Sequence, residues 1–238
     1  MLLQILVFYI LTFFFTFLLG GLQQATGINP GLSIPQLGPG LGALVSLLVF
    51  RKTAVKPNFS LKPLKPKPVL LSILFPVGAT LIVALVTHQV LPPIVASGNF
   101  GLALLLWIPI GALGEELGWR GFLQANLDRK WAGWLSCLVV GLLWTPFHVQ
   151  FLQNGVLFLA VFALLLIAYT TVLYVLMKWS EFNVWIAMLF HTAINATNLF
   201  FYSSLNEVRF MAINVAVWGV IALVMVLTNR DLFFSRKD

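Results

Sequence analysis

Charge is what this sequence has least of. Only 9% of its 238 residues are Asp, Glu, Lys or Arg, against 60% hydrophobic. A soluble domain carries about 25% charge. So few charged groups cannot cover a surface that faces water, so lipid must be the solvent for much of it. Cysteine is nearly absent too. Cys137 stands alone inside an apolar run, which excludes an intrachain disulfide and a metal site built on cysteines. The three aspartates, Asp128, Asp231 and Asp238, fall outside the apolar segments, so an intramembrane aspartyl dyad is excluded. No histidine is followed by glutamate, which removes the HExxH zinc helix. No Gly-x-Ser-Gly nucleophile occurs, and no G-x-x-x-x-G-K-[ST] phosphate loop, which argues against nucleotide-driven transport.

What is present is a series of apolar runs, with a mean hydropathy of +0.98 overall. They cover roughly 2–22, 37–50, 69–91, 100–127, 132–153, 155–178, 182–202 and 209–229. A helix needs about 20 apolar residues to cross a bilayer, so the expectation is an all-α, polytopic transmembrane bundle of about eight spans. It reads as one domain over 1–238. The first run, Leu2 to Leu19, has no basic leader and exceeds the usual length of a signal peptide, so it reads as a retained helix. Pro39, with Gly38, Gly40 and Gly42, marks the start of the second and shortest run.

Basic residues set the orientation. Arg51, Lys52, Lys56, Lys62, Lys65 and Lys67 follow the second run. Arg120, Arg129 and Lys130 sit around the fourth-to-fifth connection, Lys178 follows the sixth, and Arg230, Arg236 and Lys237 close the chain. With alternating spans all of these share one side, and only Arg209 lies opposite. Both termini are therefore expected to be cytoplasmic, in a multi-pass protein of the plasma membrane if the host is a prokaryote. The Lys62-Pro63-Leu64-Lys65-Pro66-Lys67-Pro68 stretch reads as an extended, topology-setting loop that also attracts anionic lipid. Membrane lipid is thus the expected partner of these charges, and nucleic acid is not.

Ionisable groups inside a membrane span are costly and usually functional. Three segments carry them here. In Glu115-Glu116-Leu117-Gly118-Trp119-Arg120, Glu116 and Arg120 are four apart and can pair on one helix face, while Glu115 points about 100° away. One arginine neutralises one carboxylate and leaves the other over. A carboxylate in apolar surroundings accepts a proton more readily, which suits general acid–base work. In Trp144-Thr145-Pro146-Phe147-His148, Pro146 interrupts the helix and His148 follows Trp144 by one turn. In His191-Thr192-Ala193-Ile194-Asn195, His191 and Asn195 share a face, with Asn198 close to it. Each segment alone has a plain structural reading: an ion pair at a helix end, a core histidine, an interhelical polar contact. Together they supply a base, a proton shuttle or metal ligands, and an oxyanion donor, which is a set able to activate water and hydrolyse an amide. His88 has no carboxylate nearby in sequence and reads as interfacial. Glu181, Glu207 and Asp128 read as solvated loop residues.

The order EExxxR, then an aromatic four positions before a histidine, then HxxxN resembles the CPBP or Abi family of type II CAAX prenyl endopeptidases and bacteriocin-processing or immunity proteins. The resemblance covers residues 100–202, the motif-bearing catalytic core. One position departs from it: the family usually reads FxxxH, and here the aromatic is Trp144. The resemblance implies a membrane endopeptidase that opens to the cytoplasmic side and acts on a peptide or lipidated protein. It implies that Glu115 activates water with His148, that Glu116 and Arg120 orient the site, and that His191 and Asn195 support the oxyanion.

Two mechanisms fit these residues. In one, Glu115 and His148 polarise water without metal. In the other, Glu115, His148 and His191 bind zinc, a known catalytic ligand set and the reason family members are often labelled metalloproteases. Metal-free activation is preferred. Two competing functions use the same residues: a transporter or proton relay, and a catalytically silent immunity protein of the same fold.

Overall fold

The computed structural model describes residues 1–28, 32–62, 64–88, 102–201 and 206–235. Pro63, Gln89, Arg236, Lys237 and Asp238 lie outside the described residues. So do the expected span ends at 89–91, 100–101 and 202.

Each of the eight apolar segments carries a helix: α1 (Leu2–Thr26), α2 (Gly38–Val49), α3 (Pro66–Thr87), α4 (Leu102–Glu116), α5 (Gly133–Trp144), α6 (Val156–Trp179), α7 (Val184–Phe201) and α8 (Val208–Thr228). A short α9 (Arg230–Phe234) follows. The described residues contain no β-strand, only an isolated bridge between Asn58 and Asn183. Among the described residues four helices, α1, α3, α6 and α8, are long and apolar enough to cross a membrane. The protein is an integral membrane helix bundle. Proline in the first turn of α2 and of α3 sets where those helices begin, since its missing N–H lies among groups a helix start leaves unpaired. Gly27 ends α1 in the left-handed conformation, φ 67°.

Two segments depart from simple hydrophobic runs. Helix α4 does not stop at Glu116. It widens into a π-helical stretch, Leu117–Gln124, and finishes with the turn Ala125–Asp128. The fifth segment, expected to be helical to residue 153, leaves the α-helix at Trp144. Pro146 lacks an N–H, so the chain tightens into a 3₁₀ turn over Thr145–Phe147 and another over Val149–Asn154.

Helix α6 is the buried axis of the bundle. From Leu165 to Met177 nearly every side chain is enclosed, as expected of a helix apolar on all faces. It packs against α5 and α8, while α7 packs against α3 and α4. The α1–α2 pair joins through small residues. A Cβ added to Gly42 would lie 2.9 Å from the Thr12 backbone nitrogen, so only glycine permits this approach. On the other side, α2 docks on α4. A Cβ on Gly40 would meet the Gly114 carbonyl at 2.8 Å, and one on Gly118 would meet the Pro39 carbonyl oxygen at 2.6 Å. Backbone atoms cannot swing aside as side chains can. Gly118→Ala is therefore expected to lower stability by about 1–3 kcal/mol, read as a drop in thermal midpoint of the purified protein in detergent. An unchanged midpoint would contradict this packing.

Asp128 corrects the sequence reading. It is not a solvated loop residue but is 9% exposed. The Tyr174 hydroxyl donates to it at 2.5 Å and the Lys178 ammonium at 3.1 Å. The reason is that α4 continues one turn past the π-helical stretch and meets the end of α6. Lys178 is accordingly a paired cation. Arg120, counted above with the basic residues that set orientation, is 0% exposed and paired inside the bundle, so it is not a surface charge.

Candidate active site

The three polar segments meet at the junction of α4, the broken end of α5, and α7. Glu115, Trp144, His148, His191 and Asn195 all line one cavity of about 640 Å³. Glu116 and Arg120 lie behind this wall, each 0% exposed.

Glu116 holds the site together. Its Oε1 accepts from Arg120 Nη1 at 2.9 Å and from His191 Nδ1 at 2.8 Å. Arg120 Nη2 donates to Thr170 Oγ1 at 3.0 Å, which anchors the cluster to α6. The Arg120 guanidinium also lies over the Trp144 ring, 4.1 Å from its centroid, a cation–π contact strengthened by burial. Three helices and the α5 break are thus tied at one point.

Glu115, the neighbouring carboxylate, faces the cavity and is 2% exposed. It was expected to be left over once Arg120 had paired, and Arg120 does pair with Glu116. Yet Glu115 has its own donors. Trp144 Nε1 donates to Oε2 at 3.0 Å and Gln36 Nε2 donates to Oε1 at 3.1 Å.

The α5 break explains the position of His148. In a continuous helix the His148 N–H would bond to the Trp144 carbonyl. In the 3₁₀ turn it bonds to the Thr145 carbonyl instead, at 3.1 Å. The Trp144 carbonyl is then available to the His148 ring, whose Nδ1 lies 3.1 Å away. A carbonyl can only accept, so Nδ1 carries the proton and Nε2 is the lone-pair nitrogen. Phe151 and Phe162 flank the ring at centroid distances of 6.2 and 5.0 Å. His191 has the same arrangement in a different setting: Nδ1 faces the Glu116 carboxylate and Nε2 is the nitrogen left for other partners.

The cavity has two characters. Its lining includes the polar side chains of Gln150, Asn195, Asn198 and Asn214 and the apolar ones of Phe147, Phe151, Phe162, Leu165 and Leu166. Sequence reasoning missed Gln36, Thr170 and Asn214 as neighbours of the site. None belongs to a motif. For Gln36 the only available signal was an amide between prolines and glycines just ahead of an apolar run. His88 caps α3 with φ 52°, and does not line the cavity.

The zinc alternative requires Glu115, His148 and His191 to converge. Among the described residues no group of three His, Cys, Asp or Glu side chains is placed to hold a metal ion. Each histidine leaves Nε2 open, as a zinc-ligating imidazole does, but Glu115 is held by the Trp144 and Gln36 N–H donors and the three side chains do not converge on one point. As placed, these three side chains do not form a zinc centre.

Comparison with known proteins agrees with the resemblance seen in the motifs. Residues 97–197 match the family model described as type II CAAX prenyl endopeptidase Rce1-like. A search of curated proteins gave no match to the chain. The matched stretch contains every motif residue named above and excludes α1–α3 and Gln36.

Proposed function

Because residues 97–197 carry the Rce1-like match, we propose that this protein is an intramembrane endopeptidase. It hydrolyses a peptide bond of a membrane-associated protein by water activated between Glu115 and His148. The observation that carries this reading is the shared cavity in which Glu115, His148, His191 and Asn195 all present side chains. A lone buried carboxylate would suit many roles. A carboxylate facing two histidines and an asparagine suits amide hydrolysis.

The steps follow from the proton positions. His148 Nε2, held unprotonated by the Nδ1 bond to the Trp144 carbonyl, accepts a hydrogen bond from water. Glu115 takes the proton as the water oxygen attacks the scissile carbonyl, and passes it to the departing amine. The carbonyl oxygen, now negative, accepts from the Asn195 amide and from His191 Nε2. For that donation His191 must carry a second proton, and the Glu116 carboxylate 2.8 Å from Nδ1 supplies the counter-charge. Glu116 and Arg120 thus orient the imidazole and do not touch substrate.

The apolar wall around Phe151 and Phe162 suits a hydrocarbon chain on the substrate, consistent with a prenylated peptide. We further read all eight helical segments as crossings, with both termini and the basic loops cytoplasmic and the cavity open to that side. In a prokaryote the membrane would be the plasma membrane.

The test is cleavage by purified protein of a peptide panel in which each sequence is supplied with and without a prenyl cysteine. The prenylated member is expected to be cut with at least about tenfold higher kcat/KM, from burial of its chain. Equal cleavage would remove the lipid from the substrate. No cleavage of any member would move weight to an immunity or transport role. Metal dependence is tested separately. Activity is expected to survive dialysis against a chelator, with no bound zinc detected by elemental analysis. Stoichiometric zinc that disappears in His191→Ala would overturn metal-free activation.

A further inference from the structure

The α1–α2 unit lies outside the family match, yet it reaches the site. Its 3₁₀ turn, Ile34–Leu37, rests on the glycine face of α4. A Cβ on Gly111 would lie 2.3 Å from Gln36 Oε1. One on Gly114 would lie 3.0 Å from the Gln36 carbonyl oxygen and from Leu37 Cα. These absent side chains leave the space that Gln36 occupies against the helix. Its Nε2 ends 3.1 Å from Glu115 Oε1. On the opposite oxygen, Trp144 Nε1 stands at 3.0 Å. The indole is itself fixed by the Arg120 guanidinium on its face and by a T-shaped contact with His191, 5.5 Å between centroids. The motif position at which the family usually has phenylalanine, a ring without an N–H, thus carries a donor here.

We propose that Gln36 and Trp144 form a two-donor clamp on the Glu115 carboxylate, with Gln36 a positioning residue contributed from the N-terminal unit, which the family match does not include, to a site that it does. This rests on the reading of Glu115 as the water-activating group. A glutamate carboxylate, on three rotatable bonds, samples several orientations. Two N–H donors from different elements, one on each oxygen, select one of them before substrate arrives, and preorganisation of that kind acts on the chemical step more than on binding.

The test uses the full chain. Gln36→Leu keeps the volume and removes the donor; Trp144→Phe keeps a ring and removes the other. Each is expected to lower kcat about 10- to 100-fold while KM stays within about twofold, because neither donor is assigned to substrate. A second readout needs no activity. The Trp144 indole N–H resonance is assigned as the one of eight indole signals lost in Trp144→Phe. It is expected to shift in Glu115→Gln, where its acceptor changes, and in Gln36→Leu, where the carboxylate loses its second donor.

Gln36→Leu with wild-type kcat, alongside an inactive Glu115→Gln, overturns the clamp and leaves the catalytic glutamate standing. If no peptide is cut by wild type, the protease reading fails by itself. The indole resonance then decides: a shift in both variants supports the clamp, and no shift in either overturns it. If Gln36→Leu does not fold, Gln36→Glu offers the same shape with an acceptor in place of the donor, and an unchanged indole signal there overturns the proposal.

Discussion

Glu115→Gln is expected to lower kcat/KM for peptide cleavage by about 10²- to 10⁴-fold, the range a general base contributes. Glutamine is the informative substitution because it preserves the setting. Its amide oxygen can still accept from the Trp144 indole, so the cavity keeps its shape while the group can no longer take a proton from water. Glu115→Ala should be at least as inactive, but it also leaves two buried N–H donors without acceptors and so confounds chemistry with packing. The loss should fall on kcat, with KM little changed, because the carboxylate acts in the transition state and not in holding the peptide. The measurement is steady-state cleavage of whichever peptide wild type cuts best, with the thermal midpoint as a folding check. Activity within tenfold of wild type would remove Glu115 as the base.

The second large effect concerns stability. Arg120→Ala is expected to destabilise the fold by about 3–5 kcal/mol, the usual result of removing one partner from a buried ion pair. Arg120 is 0% exposed, meets Glu116 at 2.9 Å and Thr170 at 3.0 Å, and covers the Trp144 ring. Its removal strands the Glu116 carboxylate with His191 as its remaining hydrogen-bond donor among the described residues. The double variant Glu116→Gln, Arg120→Met should therefore lose less than the sum of its single changes, since neutralising both partners strands no charge. Denaturant titration in mixed micelles would measure each corner of the cycle. Strict additivity would show that the pair is not coupled. In membrane chains the unfolded reference also finds polar partners, which pulls such values toward the lower end.

The apolar segments were legible in the sequence because length and hydropathy dictate helices in lipid. The pairing of Glu116 with Arg120 was legible from a spacing of four. Less legible was anything that depends on three-dimensional contact. Pro146 marked an interruption, but not that α5 ends two residues earlier and that the resulting 3₁₀ turn releases the Trp144 carbonyl to the His148 ring. Asp128 looked solvated because its partners, Tyr174 and Lys178, lie 46 and 50 residues further along. Gln36 belongs to no motif. Its significance comes from Gly111 and Gly114 on another helix, and no local pattern encodes what a neighbouring groove admits. Tryptophan in place of the usual phenylalanine was visible as a departure from the motif, but not its consequence here, which is a hydrogen bond.

The glycine face of α4 also bears on when the site comes into being. Gln36 and Glu115 are 79 residues apart, so nothing in local helix formation brings them together. In a bilayer, helices insert first and pack afterwards. A newly inserted α4 would hold an exposed glutamate with no clamp until the α1–α2 hairpin slides into its groove. With Glu115 as the proposed base, assembly of the bundle would then be the activation event: a chain still threading into the membrane, surrounded by other nascent chains, would have no aligned base with which to cut them.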